Sequence, residues 1–380
     1  MKIALALHSL DPATGGVATA TVQLALALSR RAHTVTLITF DTPNAPFLGE
    51  LPQNIPLIAL GPVQNAYGYI PDLEKKLSAH TTAFDFLILN GLWLFSTAGM
   101  SRWAQQNKIP YALFPHGMLD PYFARAHPLK HLKKLIYWLM AEQHTVRHAA
   151  AVYYTTPSEM SLAQKTFPFF RPRHQEVIGL GLQSSLTPIE SAKETFLAKF
   201  PMLRSQSYLL YLGRFHPKKG ADMLLVALED FPHLTLVMAG PLHDTSTPYL
   251  KTLMSLSNHR VIWTDLLTGP AKWGALAAAD ALILPSHQEN FGMVAAEALS
   301  VGTPVLASHP VAIAAEIVSS NAGFSAPDTL AGTRSLIEKF TTCSEADKKT
   351  LRINARTCYE KNYQPDAIAL KLEGSIASLK

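Results

Sequence analysis

Two carboxylates stand eight residues apart in a segment that otherwise has the composition of a protein interior. The segment is SHQENFGMVAAEALSVGTPVLAS, residues 286–308, and the acids are Glu289 and Glu297. A turn from a strand end into a helix near Phe291 would leave backbone N–H groups unpaired, and Gly292 would let a ligand approach them closely. The aligned peptides add about half a positive charge at such a helix start. This stretch therefore predicts an anion site that suits a diphosphate.

The spacing of the two acids predicts the kind of ligand. Eight helical residues would cover about 12 Å at roughly 1.5 Å per residue, a length comparable with a nucleotide sugar. Ionised carboxylates accept hydrogen bonds and do not donate them, so they suit hydroxyl groups. One acid would hold sugar hydroxyls and the other ribose hydroxyls, with the phosphates over the amides between them.

Cations that would offset the charge of a diphosphate lie upstream, in YLGRFHPKKG, residues 211–220. Arg214 and Lys219 are predicted on a loop at the carboxyl end of a strand, where open α/β sheets place their ligands. A guanidinium offers forked donors and an ammonium a point charge, and together they can hold two phosphates. Lys218 is expected to be solvated, and a solvent-facing loop is the alternative for the whole segment.

The basic loop followed by the glutamate pair closely resembles the retaining glycosyltransferases of family four, the group 1 glycosyl transferases, which have the GT-B fold. With GG near the N-terminus and FPHG in the middle, the likeness covers nearly the whole chain. The resemblance implies that Glu289 binds the hydroxyls of the donor sugar, Glu297 the ribose, and Arg214 with Lys219 the diphosphate. The further donor-binding residues that it implies are Leu266, Leu267, Asn290, Phe291, Gly292, Met293 and Val294.

The first half of the chain supplies Gly15, Gly16 and His116. Glycines at a strand-to-helix turn would let the backbone close on the diphosphate, and GGVATA lacks the spacing of a dinucleotide fingerprint. His116, in LFPHGMLDP, aligns in the family with a residue beside the donor sugar and phosphate. Asn90 stands where relatives often carry His, and the acceptor is assigned to Asn90 and Trp93. The catalytic set is then His116, Arg214, Lys219 and Glu289.

These residues need two parallel sheets to hold them. Apolar runs such as KIALALHS (2–9) and HTVTLITF (33–40) flank a segment of helical periodicity, and the same order restarts at residue 207. The 380 residues are long enough for two cores. We expect an α/β chain with two Rossmann-like, doubly wound domains facing across a cleft. Their bounds are residues 1–182, joined by a returning C-terminal helix at 365–380, and residues 183–364.

Composition limits the function classes. The net charge of +5 and pI near 9.0 permit an anionic ligand, but neither zinc-finger spacing nor RNA-binding aromatics are present, so nucleic acid is not expected as a partner. Two late cysteines give no disulfide framework, which favours a reducing cytoplasm. No run of about 18 uncharged apolar residues predicts a membrane span.

The resemblance implies a retaining transfer of hexose from a nucleotide sugar. We expect the transfer to be metal-independent, with a saccharide or lipid-linked saccharide as the acceptor in polysaccharide biosynthesis. No Asp-x-Asp occurs in the chain, so neither a metal nor another cofactor is expected. UDP-glucose is the favoured donor, ahead of GDP-mannose and ADP-glucose. A non-catalytic nucleotide-sugar sensor and an oxidoreductase with two Rossmann-like units are the alternatives.

The segment from 124 to 150 combines lysines with apolar residues at helical spacing. A basic amphipathic helix can lie on an anionic membrane, which would make the protein peripheral on the inner face of the plasma membrane. An ordinary domain helix with a solvated basic face is the alternative.

Overall fold

The computed structural model describes residues 1–80, 83–121, 128–242 and 247–379. The chain divides into two compact units. The first unit comprises Met1–Leu182 and Pro365–Lys380, and the second is Gln183–Gln364. Each unit is an α/β structure with its own parallel sheet, so the expected doubly wound α/β class is confirmed.

The first unit is built on a seven-stranded sheet with the order β3-β2-β1-β4-β5-β6-β7. Every pair of neighbouring strands in it is parallel. The strands are β1 (Lys2–Leu7), β2 (Thr34–Thr39), β3 (Leu57–Ala59), β4 (Phe86–Asn90), β5 (Tyr111–Phe114), β6 (Ala151–Tyr154) and β7 (Gln175–Val177).

The central strands are apolar on both faces because helices cover the sheet on both sides. In β1, Ala4 and Ala6 join one buried cluster, whereas Ile3, Leu5 and Leu7 join another. The helices of this unit are α1 (Gly16–Arg30), α2 (Leu73–Ser78), α3 (Phe95–Gln106), α4 (Pro128–Tyr137), α5 (Gln143–His148) and α6 (Pro157–Ala163). The order of strands places the carboxyl ends of β1, β4 and β5 side by side.

The segment from 124 to 150 is not one uniform helix. Residues 124–127 lie outside the described part of the chain, and a π-helical turn, Trp138–Glu142, joins α4 to α5. Trp138 is fully buried, so it does not belong to an exposed apolar face. Among the described residues of this segment, five large apolar side chains are exposed, and we call them the apolar stripe: Leu129, Leu132, Ile136, Leu139 and Met140.

The second unit holds a six-stranded parallel sheet with the order β10-β9-β8-β11-β12-β13. Its strands are β8 (Tyr208–Leu212), β9 (Thr235–Ala239), β10 (Val261–Asp265), β11 (Ala281–Leu284), β12 (Val305–Ser308) and β13 (Gly323–Ala326). Its helices are α7 (Ile189–Lys199), α8 (Ala221–Leu228), α9 (Pro248–Leu256), α10 (Gly269–Ala278), α11 (Met293–Ser300), α12 (Ala314–Ser319), α13 (Leu330–Thr341) and α14 (Glu345–Asn362).

The last helix, α15 (Pro365–Ser378), belongs to the first unit, as the expected returning helix requires. Its apolar face enters the buried cluster beside β1 through Ile368, Leu372 and Ile376. Arg30 of α1 pairs with Asp366 at 2.9 Å. Among the described residues, no helix has both the length and the apolar character that crossing a bilayer demands.

Candidate active site

Helix α11 begins directly after a glycine with a left-handed backbone. Gly292 has φ 93° and ψ 53° and precedes the first helical residue, Met293. A side chain there would be strained, and its Cβ would lie 3.1 Å from Val311 Cγ1. The N–H of Ala295 closes the first turn on Gly292 O at 2.8 Å. The amides before Ala295 are those that a helix leaves without an intrahelical partner, so they can meet an anion.

Glu289 stands before this helix tip and is fixed by its backbone. Its N–H donates to Pro310 O at 3.2 Å, and its carbonyl accepts from Ala312 N at 3.1 Å. These bonds form a bridge to the chain after β12. The helix begins at Met293, so only the second part of the span from Glu289 to Glu297 is helical. The half-buried carboxylate hydrogen-bonds Lys219 Nζ.

Lys219 ends a tight turn, Pro217–Lys219, that His216 caps. Gly220 follows in the left-handed region at φ 65°, and a Cβ there would lie 2.2 Å from Pro285 O. This close approach brings the basic loop after β8 against the end of β11, which leads to Glu289. The sequence segments that carry the cation and the acid are thus adjacent in space.

Glu297 lies on α11 and also has a lysine partner. Its Oε1 is 2.8 Å from Lys272 Nζ, and both side chains are about one-fifth exposed. Lys272 also lies over the ring of Trp273, 4.6 Å from the centroid. Each of the two acids therefore has a lysine beside it, and the positive charge of that lysine reduces the electrostatic repulsion between the acid and the phosphates of a ligand.

Arg214 and the pair Leu266 and Leu267 lie on loops that follow β8 and β10 at the same edge of the sheet. Arg214 is exposed, and its carbonyl accepts from the Tyr211 hydroxyl at 3.0 Å. Asp265 ends β10 at φ 58°, and its Oδ1 accepts from Leu266 N at 2.8 Å. The Leu266 side chain is 60% exposed, whereas Leu267 is buried. Leu266 can therefore contact a ligand with its side chain, and Leu267 supports the turn.

The two N-terminal glycines adopt the geometry of an exposed strand-to-helix turn. Gly15 has φ 117° and ψ −173°, and no atom lies within 4 Å of a Cβ built there. Gly16 is the first residue of α1. Asp11 orders the turn because its side chain accepts from Ala13 N at 2.8 Å. The helix start of α1 is thus accessible to a ligand.

His116 follows β5 in the left-handed region, at φ 50°. Its Nε2 is 2.8 Å from Asn90 Oδ1, and Asn90 Nδ2 donates to Ala6 O at 3.3 Å. Asn90 therefore presents its oxygen to His116, and the imidazole donates from Nε2. Enclosure of the ring, which stacks on Phe114 at 5.3 Å, lowers the pKa of His116 to about 4. The ring is neutral at pH 7, and Nδ1 keeps its lone pair.

Trp93 follows β4 and is the other residue assigned to the acceptor. It is half-buried, and its backbone is left-handed at φ 75°. Its N–H donates to Glu142 Oε1 at 2.7 Å. Asn90 itself is buried, with its side chain engaged by Ala6 and His116. Of this pair, Trp93 is better placed to meet a second substrate.

Family models cover most of the chain. A model described as "Glycosyl transferases group 1" matches residues 193–356, and one described as "Glycosyl transferase 4-like domain" matches residues 15–181. Together they span both units. The chain belongs to the group 1 glycosyltransferases. The family suggested by the basic loop and the glutamate pair is confirmed.

Curated relatives match this glycosyltransferase over part of its length. Glycogen synthase of Mycobacterium tuberculosis is 33% identical over 153 residues, which are 38% of this chain and 36% of the relative. The chain thus matches about a third of that protein.

Solved structures match the fold along the whole chain. Sucrose-phosphate synthase from Thermosynechococcus elongatus has a TM-score of 0.76 at 21% identity, covering 100% of this chain and 99% of its own. HepE of Anabaena in complex with UDP and glucose has a TM-score of 0.72 at 19% identity, with 100% of each chain covered. The expected GT-B fold is confirmed.

Lys272 contacts a predicted site residue of this glycosyltransferase, Glu159 contacts the residue that follows another, and neither was singled out from the sequence. Lys272 had one signal, since it is an isolated cation in the small and apolar run of α10. Glu159 lies in TPSE, a capping pattern, but its buried carboxylate instead accepts from Gly117 N at 2.6 Å and Thr155 N at 2.8 Å. Glu159 thus holds the turn that follows His116.

Proposed function

We propose that this group 1 glycosyltransferase is a retaining hexosyltransferase that uses a nucleotide diphosphate sugar, with UDP-glucose as the favoured donor. The observation that carries the proposal is the pairing of both acids with cations around one helix tip. Glu289 meets Lys219 before α11, and Glu297 on α11 meets Lys272. A lone anion site would not need two carboxylates, whereas a sugar at one end and a ribose at the other would.

The donor is proposed from the hydrogen-bonding groups of the site and from the ligands that structures of similar proteins contain. Glu289 would accept hydrogen bonds from sugar hydroxyls and Glu297 from ribose hydroxyls. The amides at the start of α11, with Arg214 and Lys219, would bind the diphosphate. Structures of the similar HepE of Anabaena contain UDP or UDP-glucose, which supports a uridine nucleotide over the GDP-mannose alternative.

The first unit would contribute to the same reaction. The accessible turn at Gly15 and Gly16 would donate amides to the diphosphate. His116 is neutral at pH 7 and has a free lone pair on Nδ1, so it would accept a hydrogen bond from a sugar hydroxyl. Because Nε2 already donates to Asn90 at 2.8 Å, the orientation of the ring is set before any ligand binds.

Transfer with retention needs no nucleophile from the protein. The bond between the anomeric carbon and the β-phosphate oxygen breaks while the acceptor oxygen bonds to the same face of that carbon. The proton of the acceptor hydroxyl passes to the departing phosphate oxygen. Arg214, Lys219 and the helix amides would stabilise the charge that develops on the diphosphate, a preorganised electrostatic effect. No metal or other cofactor is required in this scheme.

The acceptor is proposed to be a saccharide or lipid-linked saccharide that contacts Trp93. The apolar stripe supports a lipid-linked acceptor, since Leu129 and Met140 are 79% and 77% exposed. Lys130 and Lys133 are exposed on the same helix. Apolar side chains beside lysines suit the surface of an anionic bilayer.

A donor panel tests the proposal. Hydrolysis of UDP-glucose, GDP-mannose and ADP-glucose is measured without acceptor, in EDTA and with added Mg²⁺. We expect UDP-glucose to be hydrolysed fastest and EDTA to leave the rate unchanged. Proton NMR of the first product is expected to give the α-anomer. A β-anomer would overturn retention, and binding of donor without any turnover would instead support the sensor alternative.

A further inference from the structure

One buried carboxylate in the first unit has no place in the proposed chemistry. Glu142 is 0% exposed and ends the π-helical turn between α4 and α5. Its Oε1 accepts from Trp93 N at 2.7 Å. Its Oε2 is buried and has no partner among the described residues. Desolvation of a carboxylate is unfavourable, so a buried one with a single hydrogen bond needs an explanation.

Burial raises the pKa of Glu142 to about 7, although the hydrogen bond from Trp93 opposes the rise. The chain therefore keeps an acid where a hydrophobic residue would pack at lower cost. π-Helical turns within helices are often found at functional sites. Here the last residue of the turn, Glu142, contacts the backbone of Trp93, three residues after the end of β4.

Trp93 is held in an unfavourable backbone conformation. Its φ of 75° is rare for a large side chain. The N–H bond to Glu142 fixes the backbone, while Lys134 Nζ lies 4.6 Å from the centroid of the indole ring and Phe167 lies 5.2 Å from it. Lys134 and Glu142 belong to one helical segment, so that segment contacts both the ring and the backbone of Trp93, and Phe167, after α6, packs on the ring as well. Residues with strained backbones cluster at functional sites, so the positive φ of Trp93 suggests a function for this residue.

We propose that Glu142 is a positioning residue that holds Trp93 in the conformation that binds the acceptor. The inference rests on the proposed function, in which Trp93 contacts that substrate. Glu142 does not touch the substrate, because its side chain is enclosed. Loss of the hydrogen bond would release the Trp93 backbone and weaken acceptor binding, while donor binding in the second unit would be unaffected.

Steady-state kinetics of three variants test this role, with UDP-glucose as donor and p-nitrophenyl β-glucoside as acceptor. Glu142→Ala removes the hydrogen bond, and we expect it to raise the acceptor KM tenfold or more with the donor KM within twofold. Glu142→Gln keeps an oxygen that can accept from Trp93 N, so it should restore the acceptor KM to within threefold. Thr145→Val is the matched control, since it alters a buried polar residue of α5 that bonds Ser101 instead. It should change neither KM.

An unchanged acceptor KM in Glu142→Ala, or an equal rise in the donor KM, would overturn the proposal. If Glu142→Ala does not fold, Glu142→Asp replaces it, because the shorter side chain cannot reach Trp93 N. Amide hydrogen exchange of residues 91–95 gives a readout that does not depend on turnover. Faster exchange in Glu142→Ala but not in Glu142→Gln supports the positioning of Trp93 by Glu142, and equal exchange in these two variants contradicts it. If the wild type hydrolyses no nucleotide sugar, the proposed function fails, but the exchange data still test whether Glu142 holds Trp93.

Discussion

At the scale of single residues, the two acids of the site differ from isolated buried carboxylates because each meets a lysine. Glu289 hydrogen-bonds Lys219, and Glu297 lies 2.8 Å from Lys272. Each lysine offsets the charge of its acid, and a carboxylate has further lone pairs that can accept hydrogen bonds from hydroxyl groups.

Lys272→Met tests the second pair. The variant leaves Glu297 without its partner beside the proposed diphosphate site, so we expect the KM for UDP-glucose to rise roughly fivefold, equivalent to about 1 kcal/mol. Lys251→Met, on the exposed side of α9, removes the same charge away from the site and is expected to leave the KM unchanged. Equal effects of both variants would mean that only net charge matters.

His116 gives a prediction for pH dependence. Its pKa is about 4 in the folded chain because of burial, against about 6.5 when unfolded. Below pH 6.5 the unfolded chain binds a proton that the folded chain does not, so the free energy of unfolding falls as the pH drops from about 6.5 to 4. Urea denaturation should show a shallower fall in His116→Gln, with a difference on the order of 2–3 kcal/mol. If the free energy of unfolding of wild type and His116→Gln fell in parallel with pH, the lowered pKa of His116 would be refuted. His233→Gln, at an exposed position, is the control and should match the wild type.

At the scale of elements, two glycines set where the loops of the second unit meet. A Cβ at Gly220 would lie 2.2 Å from a backbone oxygen, that of Pro285, whereas a Cβ at Gly292 would lie 3.1 Å from a side-chain carbon. Gly15 has a positive φ but no atom within 4 Å of a Cβ. Alanine at Gly15 would therefore add backbone strain alone, whereas alanine at Gly220 would add a steric clash with the backbone as well.

We expect alanine at these positions to lower the free energy of unfolding in a fixed order. Gly220→Ala should be the most destabilising, by more than about 2 kcal/mol, because a backbone carbonyl cannot move aside. Gly292→Ala and Gly15→Ala should each cost about 1–2 kcal/mol from the left-handed or extended positive φ alone. Urea denaturation of the three variants checks the order, and a Gly220→Ala protein as stable as wild type would contradict the close approach of the loops.

Some strands and site residues can be predicted from the sequence, and others cannot. Long apolar runs predicted β1, β2 and β8 because burial on both faces leaves a local signal. The short β3 (Leu57–Ala59) and the glycine-led β13 (Gly323–Ala326) gave none, since their extended form depends on the neighbouring strand. The glutamate pair was predictable because its spacing is local. Lys272 and Glu142 were not, because their partners lie 25 and 49 residues away along the chain.

At the scale of the whole molecule, the apolar stripe is the feature that the fold does not explain. Leu132→Ser with Ile136→Ser removes its centre, and both side chains are more than half exposed, so stability should change little. We expect the wild type to sediment with vesicles of anionic lipid at low salt and the double variant to lose most of that binding. Ile353→Ser, at an equally exposed position of α14, is the control and should bind as the wild type does. Failure of the wild type to sediment would contradict a role in membrane contact.

Donor turnover in Glu289→Gln tests whether the tip of α11 and its two acids bind a nucleotide sugar, as we propose. The amide keeps the shape of the side chain but removes the charge that hydrogen-bonds Lys219 and that would accept from sugar hydroxyls. We predict that kcat/KM for UDP-glucose falls roughly 10- to 100-fold, as expected for loss of a hydrogen bond to a charged group. An unchanged kcat/KM in a folded variant would contradict the proposed donor site.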